Sequence, residues 1–155
     1  MINGKNQQIV IGGAVVFREN RGKRQFLLVR QKDGEGWEIA KVTVRKGESS
    51  VRAVIRLASE QGGMAVRVLE EAGRTVGNTI INAKSVPQKF YYYLMLQRGG
   101  NGEFMGFDEY KWMEYSDALK KLVQKREKDI LKEAKEVLKE WEKTHNLKKQ
   151  VVEEF

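Results

Sequence analysis

Lys46-Gly47-Glu48-Ser49-Ser50-Val51-Arg52-Ala53-Val54-Ile55-Arg56-Leu57-Ala58-Ser59-Glu60-Gln61-Gly62-Gly63-Met64 reads as a loop, a helix and a stop. Gly47-Glu48 leads into the helix. Ser49 or Ser50 can cap it, because a serine hydroxyl accepts from the free N–H groups of a first turn. Val51, Val54, Ile55 and Ala58 fall at i, i+3, i+4 and i+7 and form one apolar stripe. At ~100° per residue Leu57 lies off that stripe, so the core face is expected to close without it. Gly62-Gly63 ends the helix, since glycine adopts the left-handed conformation that a C-terminal cap requires.

N-terminal to this stretch, Gln8 to Phe17 is a β-rich run with Gly12-Gly13 at its centre. Arg18 to Arg24 reads as a hairpin loop and Gln25 to Gln31 as the returning strand. Asp33 to Gly36 suits a turn before a short strand at Trp37 to Ala40. C-terminal to it, three β segments are expected: Ala65 to Glu71, Thr79 to Ala83, and Lys89 to Gln97 with its run Phe90 to Leu96. Gly99 to Gly102 makes a turn and Tyr110 to Tyr115 a last strand. Ser116-Asp117 is placed to cap a short helix carrying Ala118, Leu119 and Leu122. A longer helix, Glu127 to Thr144, puts Ile130, Leu131, Ala134, Val137, Leu138 and Trp141 on one stripe. The expectation is one α+β domain over residues 1–155, a mixed sheet between helices with an amphipathic helix at the C-terminus.

Composition narrows the chemistry. The 155 residues contain no cysteine, which excludes disulfides, thiolate metal sites and a cysteine nucleophile. The single histidine, His145, excludes histidine-rich zinc sites and most triads, and is expected at the surface of the last helix. No apolar run approaches the ~18 residues of a membrane span, and residues 1–8 lack the apolar core of a signal peptide, so a cytoplasmic protein without membrane contact is expected. A formal charge of +8 suits anionic partners such as nucleotides or RNA, and equally suits a solvated lysine-rich surface.

The run from Trp37 to Met64 resembles the Nudix box, G-x5-E-x7-R-E-U-x-E-E-x-G-U, where U is a bulky aliphatic residue. Glu48, Arg56, Glu60, Gly63 and Met64 match in register. Val42 stands at the first glycine, Leu57 at the first glutamate of the pattern's Arg-Glu pair, and Gln61 at its last glutamate. Trp37 and Lys41 resemble the family's Trp-x-x-Pro-Lys-Gly lead-in, with Ala40 for proline. Gly12-Gly13-Ala14, Glu109-Tyr110-Lys111-Trp112 and the helices from Ser116 to Trp141 resemble the family's first strand, late Glu-x-x-Trp and C-terminal helices. The style is closest to small hydrolases of the dinucleoside-tetraphosphate type. A second run, Val68-Leu69-Glu70-Glu71-Ala72-Gly73, looks like the end of a box with both glutamates intact. It requires a deletion inside the motif and an insertion before its arginine, so it is read as the strand after the box.

The resemblance implies attack of water on a pyrophosphate linkage, assisted by Mg²⁺ or Mn²⁺, hard ions that take carboxylate oxygens. Residues i, i+3 and i+4 of a helix lie together, so glutamates at 57, 60 and 61 would form one acidic cluster. Here Leu57 cannot bind metal and Gln61 offers only a neutral carbonyl. Glu60 remains as catalytic and metal-ligating candidate, with Glu109 as a second ligand, and any ion would be held weakly. Glu48 and Arg56 are expected to pair structurally, as the family implies. Lys41, Arg45, Lys46 and Arg52 surround the box and could neutralise phosphate directly. Tyr91, Tyr92 and Tyr93 suit either a stacking platform for a base or a packed sheet. The charged face of the last helix suits exposed ion pairs or a protein partner.

Three functions stay open on these residues. The first is a Nudix-fold protein that binds a nucleoside polyphosphate, a dinucleoside polyphosphate or RNA, with hydrolysis lost or weak. The second is an atypical Mg²⁺- or Mn²⁺-dependent pyrophosphohydrolase centred on Glu60. The third is a structural subunit of a larger complex.

Overall fold

The computed structural model describes residues 8–31, 36–100, 103 and 105–145. Among these, six strands and three helices follow in the order β1 (Ile9–Asn20), β2 (Lys23–Arg30), β3 (Ala40–Thr43), α1 (Ser50–Glu60), β4 (Met64–Ile81), β5 (Lys84–Gly100), β6 (Glu109–Glu114), α2 (Tyr115–Lys121) and α3 (Lys125–His145). The strands form one sheet in the order β4-β5-β1-β2-β6, with β3 paired to β1. The sheet is mixed because β1 and β5 run parallel while the other pairs are antiparallel.

Strand alternation sorts the core into two layers. Phe90, Tyr92, Leu94 and Leu96 of β5 join Val15, Phe17, Phe26 and Leu28 beneath α2 and α3. Tyr93 and Met95 of the same strand join Ala14, Val16, Leu27 and Val29 beneath α1. The helices therefore sandwich the sheet. Gly12-Gly13 sits where both layers press closest. A Cβ at Gly12 would meet Val54 of α1 at 2.8 Å, and one at Gly13 would run into the ring of Tyr92 on the other face.

Several expected boundaries move. The segment expected at Ala65 to Glu71 and the first part of that expected at Thr79 to Ala83 belong to one strand, β4, whose hairpin with β5 is paired from Met64↔Gly100 to Ile81↔Lys84, and Asn82 and Ala83 form its turn. Gly73 and Gly77 lie between the two expected segments, and the strand runs through them. They leave room for α3 and its approach, since a Cβ at Gly73 would meet Ile130 at 2.8 Å and one at Gly77 would meet Arg126 at 3.4 Å. The intact-looking glutamates Glu70 and Glu71 lie on this strand, outside any helix. The short third strand is shifted to Ala40–Thr43, and Trp37 and Glu38 make only isolated bridges, to Leu122 and Val29. β5 continues through Gly99 and Gly100, while Asn101, Gly102 and the turn residues Asp33 to Glu35 lie outside the described residues.

The helices follow their patterns closely. α2 begins at Tyr115, two residues earlier than a Ser116 cap would place it, and Glu114 caps it without a side-chain bond, so Ser116-Asp117 is not its cap. On α3, Ile130, Leu131, Ala134, Leu138 and Trp141 are buried, and Val137 packs beside them. His145 stacks on Trp141 at 4.2 Å between ring centroids. Among the described residues no helix is long and apolar enough to cross a membrane.

Candidate functional site

The loop Thr43 to Ser49 and helix α1 are tied together by a few polar bonds. Ser49 is the N-cap, accepting from the Arg52 N–H at 3.2 Å. The preceding turn closes on itself. The Glu48 N–H donates to the Arg45 carbonyl at 3.0 Å, and the Arg45 N–H donates to the Glu48 carboxylate at 3.1 Å, with Gly47 at φ +79° between them. Arg56, two turns into the helix, reaches back to Glu48 with Nε and Nη2, each at 2.9 Å, and to the Thr43 carbonyl at 3.2 Å. This two-point pairing fixes both partners. The Arg56 guanidinium, then the Arg45 N–H, hold the Glu48 carboxyl at about 2, and the same contact pushes Arg56 up.

Leu57 departs from the reading of α1 as a Val51/Val54/Ile55/Ala58 stripe. It is fully buried among Val54, Ala58, Val29 and Met95, whereas Ile55 is 42% exposed. The buried face is Ala53, Val54, Leu57 and Ala58, a stripe turned toward Leu57. Sheet packing chooses the rotation of a helix about its axis, and with several apolar residues spread around α1 the period alone left that rotation open.

The other two positions of the expected acidic cluster differ from each other. Glu60 is exposed and shares an open groove with Glu48, Arg52, Ile55, Arg56 and Ser59, where its charge supports that of Arg56. Gln61 caps the helix and meets the segment before β6. Its carbonyl accepts from the Met105 N–H at 2.6 Å, and a Cβ at Gly106 would lie 2.9 Å from its side-chain oxygen. Gln31 donates to the Gly106 carbonyl at 3.3 Å from the other side. Glu109 pairs with Arg30, whose guanidinium also lies 4.8 Å over the Trp37 ring.

These side chains do not fit a divalent ion as a donor set. Leu57 supplies no oxygen, Glu48 is held by Arg56, Glu109 is held by Arg30, and Gln61 is neutral and faces the protein. Among the described residues no three acidic or histidine side chains come together as a metal would need. A hard cation takes six or more oxygens, so Glu60 alone is a poor start.

The basic candidates separate. Arg45, Lys46 and Arg52 are exposed around the N-terminal end of α1. Lys41 lies on the opposite face of the sheet, where it contacts Glu127 at 2.7 Å, the Ile39 carbonyl at 2.8 Å and Glu38 at 2.9 Å. Val42, the next residue, faces α1 and packs beside its core. The three tyrosines separate as well. Tyr92 is buried and donates to Glu127 at 2.9 Å, Tyr93 meets the Ser50 hydroxyl at 2.5 Å, and Tyr91 lies under the Arg74 guanidinium at 4.9 Å.

Two contacts were missed from sequence. Glu127 is wholly buried and accepts from the Ile39 N–H at 2.9 Å as well as from Lys41 and Tyr92. In the sequence it is one glutamate among many on a charged helix. Ser50 with Tyr93 links α1 to β5, and Tyr93 stood out only as part of the aromatic run. Burial and a neighbouring Glu127 push the Tyr92 hydroxyl far above the ordinary tyrosine range.

Comparison with known proteins meets this geometry. The family model of the NUDIX domain matches residues 10–134. No curated protein sequence matches the chain. Among solved structures, the Caenorhabditis elegans Ap4A hydrolase binary complex is similar at TM-score 0.64 and 22% identity, over 84% of this chain and 97% of that one. The NUDIX domain of Shewanella oneidensis NrtR, complexed with ADP ribose, gives TM-score 0.66 at 18% identity, over 88% and 94%. The Escherichia coli dihydroneopterin triphosphate pyrophosphohydrolase gives 0.63 at 12% identity, over 79% and 91%. At such identities these structures speak for the fold. With the helix and loop of the box in the register that the Glu48–Arg56 pair requires, and the family model spanning most of the chain, the protein belongs to the NUDIX domain family.

Proposed function

We propose that this chain binds a nucleoside polyphosphate or a dinucleoside polyphosphate on its Nudix face, and that its metal-dependent hydrolysis is lost or weak. The observation that carries the reading is Leu57, fully buried where the box asks for a glutamate, with Glu48 and Glu109 both engaged by arginines. Phosphate charge then falls to cations of the chain itself. Arg45, Lys46 and Arg52 stand exposed beside the groove of Glu60, and guanidinium groups suit phosphate oxygens. The ligand class is drawn from the fold's company, since one similar structure is an Ap4A hydrolase and another holds ADP ribose. RNA offers the same phosphate chemistry and is the alternative anion.

A second reading rests on Glu60, which stays exposed at the end of α1 in the same groove as Arg52 and Arg56. It makes the chain a slow pyrophosphohydrolase with Glu60 as its remaining carboxylate. Titration calorimetry with diadenosine tetraphosphate and with ADP-ribose, in EDTA and in Mg²⁺ or Mn²⁺, separates the two. The binding reading expects affinity that survives EDTA, falls steeply as salt rises, and weakens several-fold in Arg52→Gln or Lys46→Gln. Absence of binding to either nucleotide and to a single-stranded RNA sinks it. Product release that requires the metal and vanishes in Glu60→Gln establishes the second reading instead.

A further inference from the structure

β4 is an edge of the sheet, and its two halves are protected differently. From Met64 to Arg74 the strand carries Arg67, Glu70, Glu71 and Arg74, and its register with β5 shifts three times, between Ala65/Val66, Val68/Glu70 and Glu71/Gly73. Charges and bulges on an edge keep other strands from adding to it. From Thr75 to Ile81 the chain reads Thr-Val-Gly-Asn-Thr-Ile-Ile, with no charge, no proline and an unbroken register. Charged residues make up 32% of the whole sequence, so an uncharged, β-branched run on an edge is out of keeping with the rest. Val76 is 77% exposed and Ile80 68% exposed, both on the sheet face turned away from α3. Among the described residues no strand pairs with this edge.

The run complements itself. Two copies laid antiparallel about a twofold axis through Asn78 place Val76 opposite Ile80 of the second copy on one face, and Thr75 opposite Ile81 on the other. Gly77 meets Thr79, and Asn78 meets its own copy. Each of the two side-chain pairings is β-branched with β-branched, which favours cross-strand packing. Within the paired strands no like charges stand opposite each other, because Arg74 falls opposite Asn82 and is already engaged by Glu71 at 3.0 and 3.1 Å. That matters for a chain of net charge +8, whose copies otherwise repel. We propose that the edge Thr75–Ile81 pairs with the same edge of a second copy, joining two sheets into one across a twofold at Asn78. The inference does not depend on the phosphoanion reading.

The absence of cysteine makes the test clean, because one introduced thiol can find a partner only in another molecule. Under mild oxidation Asn78→Cys should give a disulfide-linked dimer, since residues opposite one another across an antiparallel pair lie within disulfide reach. Val76→Cys should not, because its own copy lies about 13 Å away, four residues along the strand. Sedimentation equilibrium of the full-length chain should show a dimer, abolished in Val76→Lys/Ile80→Lys and retained in Val76→Glu/Ile80→Lys, where opposite charges meet across the axis. A monomer at all concentrations overturns the proposal. So does equal cross-linking of the two cysteine variants, or a dimer that survives the double lysine substitution.

Discussion

Leu57 occupies a position where the motif asks for a carboxylate, and its surroundings are apolar. Truncation to alanine should lower stability by about 2–5 kcal/mol through lost transfer energy and the cavity left behind, measured by urea denaturation. Leu57→Glu should cost at least as much, because a carboxylate there finds no cation among Val54, Ala58, Val29 and Met95. Reinstating the motif with Leu57→Glu/Gln61→Glu therefore starts from a destabilised protein, and a melting curve should precede any assay. Glu48 responds to pH. Its folded carboxyl sits at about 2 against an ordinary 4.5, lowered chiefly by Arg56. The pair's contribution is therefore full above about 4.5 and is lost as pH falls toward 2. The stability gap between wild type and Glu48→Gln should stay constant above that range and narrow below it. A gap independent of pH from neutral to pH 2 would falsify this assignment.

The element that departs most from its sequence reading is the β4–β5 hairpin. Residues 72–78 fell between the two expected segments, because local pattern does not show that α3 packs on this part of the strand. The turn itself is Asn82-Ala83, both left-handed at φ +52° and +63°. Asparagine tolerates this conformation and a Cβ-bearing alanine does so at a cost. Ala83→Gly should raise stability by roughly 0.5–1 kcal/mol, the relief of that strain less the extra entropy glycine loses on folding. The midpoint of chemical denaturation reads it, and a drop would show that the alanine side chain contributes a contact. α1 and α3 were easier to place, since capping serine, stop glycines and a long apolar stripe are short-range signals.

Across the whole molecule, the layers are bound by Glu127. From the first turn of α3 it reaches the Ile39 N–H on the approach to β3, Lys41 on β3 and Tyr92 on β5. Glu127→Ala would take the acceptor from the buried Tyr92 hydroxyl and the Ile39 N–H, while Lys41 keeps Glu38 and the Ile39 carbonyl, and should cost about 1–3 kcal/mol for each donor left without a partner. Replacing the three side chains together with apolar residues should cost less than the sum of the single changes, because the group acts as a unit. A simply additive result in a multiple-mutant cycle would refute that coupling.

Sequence by itself determined the register of the box, because Glu48, just before the helix cap, and Arg56, within the helix, stand at a fixed short spacing and meet locally. It also determined the amphipathic C-terminal helix, whose stripe repeats over a long stretch. These are local, periodic signals. Only the tertiary structure decided which face of α1 is buried, and with it the fate of Leu57. It also decided that Lys41 goes to Glu127, 86 positions away in the chain, rather than to the basic surface around the box. In both cases the deciding partners come from distant segments, and burial against them outweighs what neighbours in sequence prefer.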